Sequence, residues 1–342
     1  MTDPRVAQGR RRMAAALALT PLLAPLAPLS GLLPARSWAA DAGAAASDYP
    51  RKPIKIAIGF APGGSTDAPM RVLGEQVARI LGQPVVIENK PGAGGVLGVQ
   101  GIISAPSDGY TLAIAPAGIY RLPYTQNIRW SPDTDLSYII GLTGYAFGIV
   151  VPASSPFKTL QDYVAYAKAH PGELTYSTPG IATTNHLTME QLSRQFGIQL
   201  NHVPYKGSAD SLQALLAGQV ASAAETSAFV PYVESGKLRL LTVWGDKRMA
   251  RFPNVPTLQE SGADIVQKSP WGLVGPKGMD PAIVRKLHDA FRQAMQSPAF
   301  LQVLERFDMG PDYRSPQDFH AFAQASMRKE KAVIEMLGLN VK

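Results

Sequence analysis

The stretch IAIGFAPGGSTDAPMR, Ile56 to Arg71, decides how this chain is read. A β-branched apolar run ends in Pro62-Gly63-Gly64-Ser65-Thr66-Asp67, and a helical pattern begins at once. The helix places Met70, Leu73, Val77 and Ile80 on one face at a 3.6-residue period. Pro69 falls in its first turn, where a missing N–H costs nothing. A glycine-rich turn between a strand and a helix N-terminus can cradle an anion, open a dinucleotide fold, or simply turn a corner.

On both sides of this stretch the same alternation continues. Strands are expected at Ile54–Phe60, Val85–Glu88 and Tyr110–Ala115, with a helix through Ile102-Ile103 between the last two. A second series follows: a helix over Leu160–Lys168, a strand at Leu174–Ser177, a helix carrying Met189, Leu192 and Phe196 on one face, and a strand at Leu200–Val203. The helix Ser208–Ala217 and strands at Val220–Ala224 and Leu238–Val243 complete it. After Trp271–Val274 the chain reads as helical, with Asp280-Pro281, Ser297-Pro298 and Ser315-Pro316 each an N-cap followed by Pro at the first helical position. The fold class is therefore α/β, with two lobes of parallel βα units and a helical tail that returns to the first lobe.

The two lobes share one device. FAPGGSTD in the first and STPGIATTNH in the second both run from a strand through Gly, Ser and Thr into a helix. Helix N-termini carry about half a positive charge and free N–H groups. In open α/β sheets such loops face the crevice at the carboxyl ends of the strands. Two of them on opposite lobes can hold one ligand from both sides.

The N-terminus is read separately. Arg5 and Arg10-Arg11-Arg12 precede an apolar stretch from Met13 to Leu33 that Pro21, Pro25 and Pro28 interrupt and Pro34 follows, and Ser37-Trp38-Ala39 supplies small residues at a cleavage position. This is an export signal over residues 1–39, through the general or the twin-arginine route, followed by a flexible spacer over 40–48. Five Arg and one Asp in that signal carry four of the seven net positive charges, leaving 28 basic and 25 acidic residues. No basic cluster with interleaved aromatics remains, so nucleic-acid binding is not expected. No other segment has the ~20 apolar residues of a membrane span, so the mature chain is not expected to insert.

Catalytic signatures are missing. With no Cys, thiolate metal sites and cysteine nucleophiles are excluded. There is no G-x-S-x-G elbow and no G-x-x-x-x-G-K-[ST] loop, and the five histidines form no H-E-x-x-H pattern. His186 reads as a residue that orients its loop, His288 as a solvated residue on a charged helix face. NKPGAGGVLG has glycines Gly92, Gly94 and Gly98 at dinucleotide-like spacing. Positive φ and close helix–sheet packing account for them without a cofactor. None is expected.

YPRKPIKIAIGFAPGGSTD, GVQGIISAPSDGYTL (Gly98–Leu112), HVPYKGSADSLQALLAGQV (His202–Val220) and RMARFPNVPTLQESG (Arg248–Gly262) stand in this order along the chain. Together they resemble the Bug-type extracytoplasmic solute-binding proteins, the receptors of tripartite tricarboxylate transporters, from about Tyr49 to the C-terminus. The resemblance implies a periplasmic-binding-protein-like fold, with lobe 1 at 49–148 plus 271–342, lobe 2 at 149–270, and hinge crossings near Gly148–Val151 and Gln267–Gly272. It implies a periplasmic, monomeric, non-enzymatic receptor that closes on a small carboxylate and presents it to membrane transporter subunits. An envelope α/β enzyme and a receptor used for signalling are the alternatives.

Carried onto this chain, the first-lobe loop is Ala61, Pro62, Gly63, Gly64, Ser65, Thr66 and Asp67. Asp67 is expected to cap the helix and shape the loop, since an ionised carboxylate only accepts. The second-lobe loop is Thr178 to Thr183, with Gly180 and Ala182 inside it, reaching on to Asn185 and His186. Ala115, Gly118 and Tyr205 border the cleft. The family's second loop usually reads Ser-x-Gly-x-Gly-Ser/Thr, whereas here Pro179 enters and Ala182 replaces a glycine. The usual acid of the GQVD motif is Ala221, and Glu225 falls where relatives carry a later one. It is read either as the partner of a ligand ammonium or as a structural acceptor at the cleft edge. Tyr120, Tyr145, Phe147, Tyr205 and Phe229 are candidates for an aromatic wall.

Overall fold

The computed structural model describes residues 48–339; the expected signal and most of the spacer lie outside the described residues. Strands β1 (Ile54–Ile58), β2 (Val85–Asn89) and β3 (Thr111–Ala115) pair in parallel, with β1 in the middle. Helix α1 (Asp67–Leu81) buries Met70, Leu73 and Val77 as the spacing requires, while Ile80 is exposed beyond the edge of that stripe.

The sequence reading assigns no strand between 115 and 174, and the structure has two: β4 (Leu136–Tyr145) and β5 (Phe147–Pro152). Both are nearly continuous apolar runs, buried on both faces, so they lack the alternation that marks a half-exposed strand. β4 pairs antiparallel with β10 (Ser269–Pro276), and β10 antiparallel with β3. The tail is not wholly helical either, since β11 (Pro311–Arg314) closes the sheet against β4. The first sheet therefore runs β11-β4-β10-β3-β1-β2 and is mixed rather than parallel.

The second sheet, β7-β6-β8-β5-β9, contains β6 (Thr175–Thr178), β7 (Asn201–Pro204), β8 (Ser222–Thr226) and β9 (Leu238–Val243). Its helices are α2 (Leu160–Ala169), α3 (Thr184–Phe196) and α4 (Ser208–Leu216). The tail helices α5 (Pro281–Ala294), α6 (Pro298–Arg306) and α7 (Pro316–Leu337) return to the first sheet, where α5 packs on α1 and β4, α6 on α1, and α7 on β4. Each begins as expected: Asp280, Ser297 and Ser315 accept from the amides of Ala282, Phe300 and Asp318.

The chain passes between the sheets at Ala146 and again at Gln267-Lys268. The crossings expected near Gly148–Val151 and Gln267–Gly272 are each narrowed, because Gly148–Val151 lie inside β5, paired to both β8 and β9, and Ser269–Gly272 lie inside β10. Four aromatic rings line the crossing in a column. Trp271 lies 5.8 Å from Tyr145, Tyr145 lies 6.0 Å from Phe147, and Phe147 stacks on Trp244 at 5.4 Å. His288 is also corrected. It is buried on α5, with Nδ1 2.8 Å from Asp289 and Nε2 3.0 Å from the Tyr313 hydroxyl.

Candidate ligand-binding site

The first jaw is the turn between β1 and α1. Gly59 opens it because any Cβ there would overlap the Gly95 carbonyl, and Gly63 takes φ 84°, where a side chain would be strained. Asp67 holds the loop. Its Oδ2 accepts from the Gly63 amide and from Arg71 Nε, both at 2.9 Å, and Oδ1 accepts from Asn89 Nδ2 at 2.8 Å. Burial pushes this carboxyl up, but the bonds from Arg71, Gly63 and Asn89 outweigh it and hold it below its ordinary value. Asp67 therefore braces the loop through Gly63 rather than through the first helical amides; the N-cap position is Thr66, whose hydroxyl meets the Tyr145 hydroxyl at 2.6 Å.

The second jaw is the turn between β6 and α3. Thr183 caps the helix, accepting from the His186 amide at 3.3 Å and donating to the Gly180 carbonyl at 2.8 Å. Ala182, where the family usually has glycine, adopts φ 55°. This left-handed conformation costs an alanine about 1–2 kcal/mol, so it must be held from outside. His186 Nδ1 accepts from the Ala182 amide at 3.2 Å, which puts the proton of the neutral ring on Nε2. His186 stacks on His202 at 4.1 Å, and His202 on Tyr176 at 4.9 Å. Burial, followed by the neighbouring His186, pushes His202 down to about 3; burial likewise lowers His186, with Arg121 adding to it and Glu190 opposing. Both rings are uncharged at neutral pH, so His186 orients the loop, as expected.

The jaws meet across one narrow cavity. Ala61, Gly64, Ser65, Thr66 and Asp67 line it from the first jaw, and Pro179, Thr183 and Asn185 from the second. Gly118 lines it and Ala115 does not, being the last residue of β3. Pro62 and Gly63 are exposed on the outer side of their turn, and Tyr205 turns its hydroxyl to Gln219 instead. Thr178, Gly180, Ala182 and His186 stand behind the wall and shape it. Of the aromatic candidates, Tyr145 and Phe147 line the cavity, whereas Tyr120 and Phe229 are fully buried core.

Glu225 is fully buried and does not line the cavity, which removes the reading as an ammonium partner. Its Oε2 accepts from the Thr226 amide at 3.1 Å, and Oε1 has no hydrogen-bond partner. Burial pushes the carboxyl up to about 8, against the pull of the Ser211 and Ser208 hydroxyls and the Thr226 amide. At pH 7 it is therefore largely a neutral acid.

Comparison with known proteins follows the same lines. The model of the tripartite tricarboxylate transporter family receptor matches residues 70–339. The chain belongs to this receptor family. It is 58% identical over 301 residues to the UPF0065 protein in the gbd 5' region of Cupriavidus necator, covering 88% of this chain and 92% of that one. It is 32% identical to BugT of Bordetella pertussis, over 87% of this chain and 93% of that one. Solved structures with the same fold include the periplasmic binding protein BugD (TM-score 0.82, 26% identity, 86% of this chain and all of that one). A MatC of Rhodopseudomonas palustris with bound malate (0.79, 26%, 84% and 100%) and a second R. palustris protein with adipate (0.80, 28%, 85% and 99%) also match. This receptor is thus a solute-binding protein of Bug type, in a family of binding proteins rather than enzymes.

Sequence reasoning missed several cavity residues of the receptor. Thr226 meets the first jaw directly and Ser208 reaches it through Thr226: the Thr226 hydroxyl is 2.8 Å from both Ser65 Oγ and Ser208 Oγ. Arg121 and Thr184 line the wall between the jaws, and Gly94 comes from the glycine run weighed as a cofactor loop. A Cβ on Gly94 would lie 2.5 Å from the Ile181 carbonyl, and one on Gly98 would lie 3.0 Å from the Gly59 amide. Close approach, joined at Gly94 by a positive φ of 64°, accounts for those glycines. Ser208 did carry a signal, standing at the start of a helix after Gly207, while nothing local marked Arg121.

Proposed function

We propose that this receptor captures a small organic carboxylate between its two lobes by hinge closure and presents it to the membrane subunits of a tripartite transporter. The observation that carries the reading is the convergence of two helix N-termini, at Asp67 and Thr184, on one cavity. Backbone amides there bind an anion without a counter-ion. The charged side chains of the wall are already matched, Asp67 by Arg71 and Arg121 by Glu330. The malate and adipate held by two family structures belong to the same chemical class. The ligand selects the closed state because only then do both jaws touch it. Lobe 1 comprises the first sheet with the tail and lobe 2 the second sheet. The protein is proposed to be exported to the periplasm and to act as a monomer; no helix among the described residues is long and apolar enough to cross a membrane.

Thermal unfolding of the purified protein against a panel of organic acids, neutral amides and nucleotides at fixed pH tests this. A ligand at 100 times its dissociation constant adds about 2.7 kcal/mol of stability. A response to carboxylates that falls when Ser65 and Thr183 are both changed to Ala is the expected result. A flat profile across the acids, with a response to nucleotides or neutral amides, would refute the ligand class.

A further inference from the structure

One buried cation stands between the lobes. Arg121 follows the turn Ala117–Tyr120 of the first lobe and is 3% exposed. Its Nε donates to Glu330 Oε2 at 2.6 Å, and Nη2 to Glu330 Oε1 at 3.0 Å. Glu330 lies on α7, which packs on the first sheet. The rest of the guanidinium reaches into the second lobe. Nη1 donates to the Ala182 carbonyl at 3.0 Å and Nη2 to Thr184 Oγ1 at 2.9 Å. Glu330 matches the charge, and four of the five N–H groups are committed to protein acceptors, so little remains for a ligand carboxylate.

The geometry points to a latch: we propose that Arg121, aimed by Glu330, favours the closed arrangement through protein–protein bonds of its own, so that a fraction of the protein is closed before ligand shifts the balance further. The inference rests on the reading of two lobes that move about the crossing at Ala146 and Gln267-Lys268. Opening would withdraw Ala182 and Thr184 and exchange two charge-assisted bonds, made to groups held in place by the second lobe, for bonds to water entering the cleft, a net loss larger than at an already hydrated contact. The catch also shapes the second jaw. Ala182 is held in its left-handed conformation by His186 on its amide and by Arg121 on its carbonyl, so the jaw gains its second anchor only when the lobes meet. Two other arginines cross between the lobes, Arg194 to the Met336 carbonyl and Arg251 to the Glu305 carbonyl. Both bonds are solvent-exposed, where water replaces what opening removes.

The absence of cysteine lets Glu75→Cys on α1 and Lys168→Cys on α2 carry a dye pair that reads lobe separation in single molecules. Without added solute, the otherwise unaltered labelled protein is expected to show a closed population. Arg121→Lys lowers the closed-to-open ratio about ten-fold and Thr184→Val, which leaves the Arg121–Glu330 pair intact, about three- to five-fold. Arg194→Ala leaves it within two-fold. A labelled protein with no closed population, or ratios unmoved by Arg121→Lys and Thr184→Val, would overturn the latch. Malate and adipate are then titrated into the same labelled protein. Failure of acids to shift its ratio counts against the proposed ligand class and not against the latch, which the solute-free ratios decide.

Discussion

The two jaws have the same geometry, a strand, a tight turn and a helix N-terminus, yet they are held by opposite electrostatics. In the first, an ionised Asp67 gathers an amide, an amide side chain and a guanidinium around one buried carboxylate. In the second, uncharged rings do the equivalent work, with Tyr176, His202 and His186 stacked behind a strained Ala182. A glycine-rich loop needs a brace to remain in one conformation, whereas a loop with Pro179 and Ala182 needs something to tolerate its strain. The same anion-facing end is thus reached by two routes, and the routes differ in their response to pH.

The largest expected effect comes from beneath the second jaw, at Glu225. Its raised value means that the folded protein keeps a proton the unfolded chain has lost between about pH 4.5 and 8, so stability falls as pH rises through that window. The fall is on the order of 3 kcal/mol, and Glu225→Gln should abolish it; urea unfolding at pH 5 and pH 8 reads the difference. If both proteins lose stability equally, the acid is not held neutral. Asp67→Ala should cost about 2–3 kcal/mol near pH 7, since it leaves three donors without their acceptor. A cost below about 1 kcal/mol would show that the first jaw does not depend on its carboxylate.

The histidines give the opposite slope. Their lowered values mean that the unfolded chain takes up protons below pH 6.5 that the folded protein refuses, so stability is full above that pH and falls with acid. His202 alone accounts for roughly 1.5 kcal/mol between pH 6.5 and 5. His202→Gln, which keeps a donor for the Thr178 hydroxyl, should flatten that limb, while the first jaw holds until Asp67 is protonated at much lower pH. Amide exchange at Gly63 and Ala182 across this range would separate the two, and simultaneous loosening of both would contradict the comparison. The smallest effect is expected from Ala182→Gly. Relief of the left-handed strain and the added freedom of the unfolded glycine nearly cancel, leaving a gain under about 1 kcal/mol by thermal melt. A clear loss would mean that the alanine methyl packs usefully.

Much of the first jaw was legible in the sequence because its parts lie close together, Gly63 to Arg71 within nine residues, joined by the Asp67–Gly63 bond, a positive-φ glycine and an i,i+4 pair. The Pro-initiated tail helices were legible for the same reason. β4 and β5 were not, because a strand buried on both faces loses its alternation, and β11 was too short and polar to show any. Glu225 could be placed on its strand, but whether that position faced the cavity or the core under α4 depended on a face the sequence does not reveal.

From the sequence alone come the α/β class, the paired strand–turn–helix jaws, the helix caps and, through its motifs, the receptor family. All are set by contacts within a turn or two, or by patterns repeated along the chain. The tertiary structure decided the rest. Ser65 meets Thr226 across 161 residues and Arg121 meets Glu330 across 209, so neither pairing leaves a local trace. The neutrality of Glu225, His186 and His202 is likewise a property of burial, which exists only once the two sheets have packed.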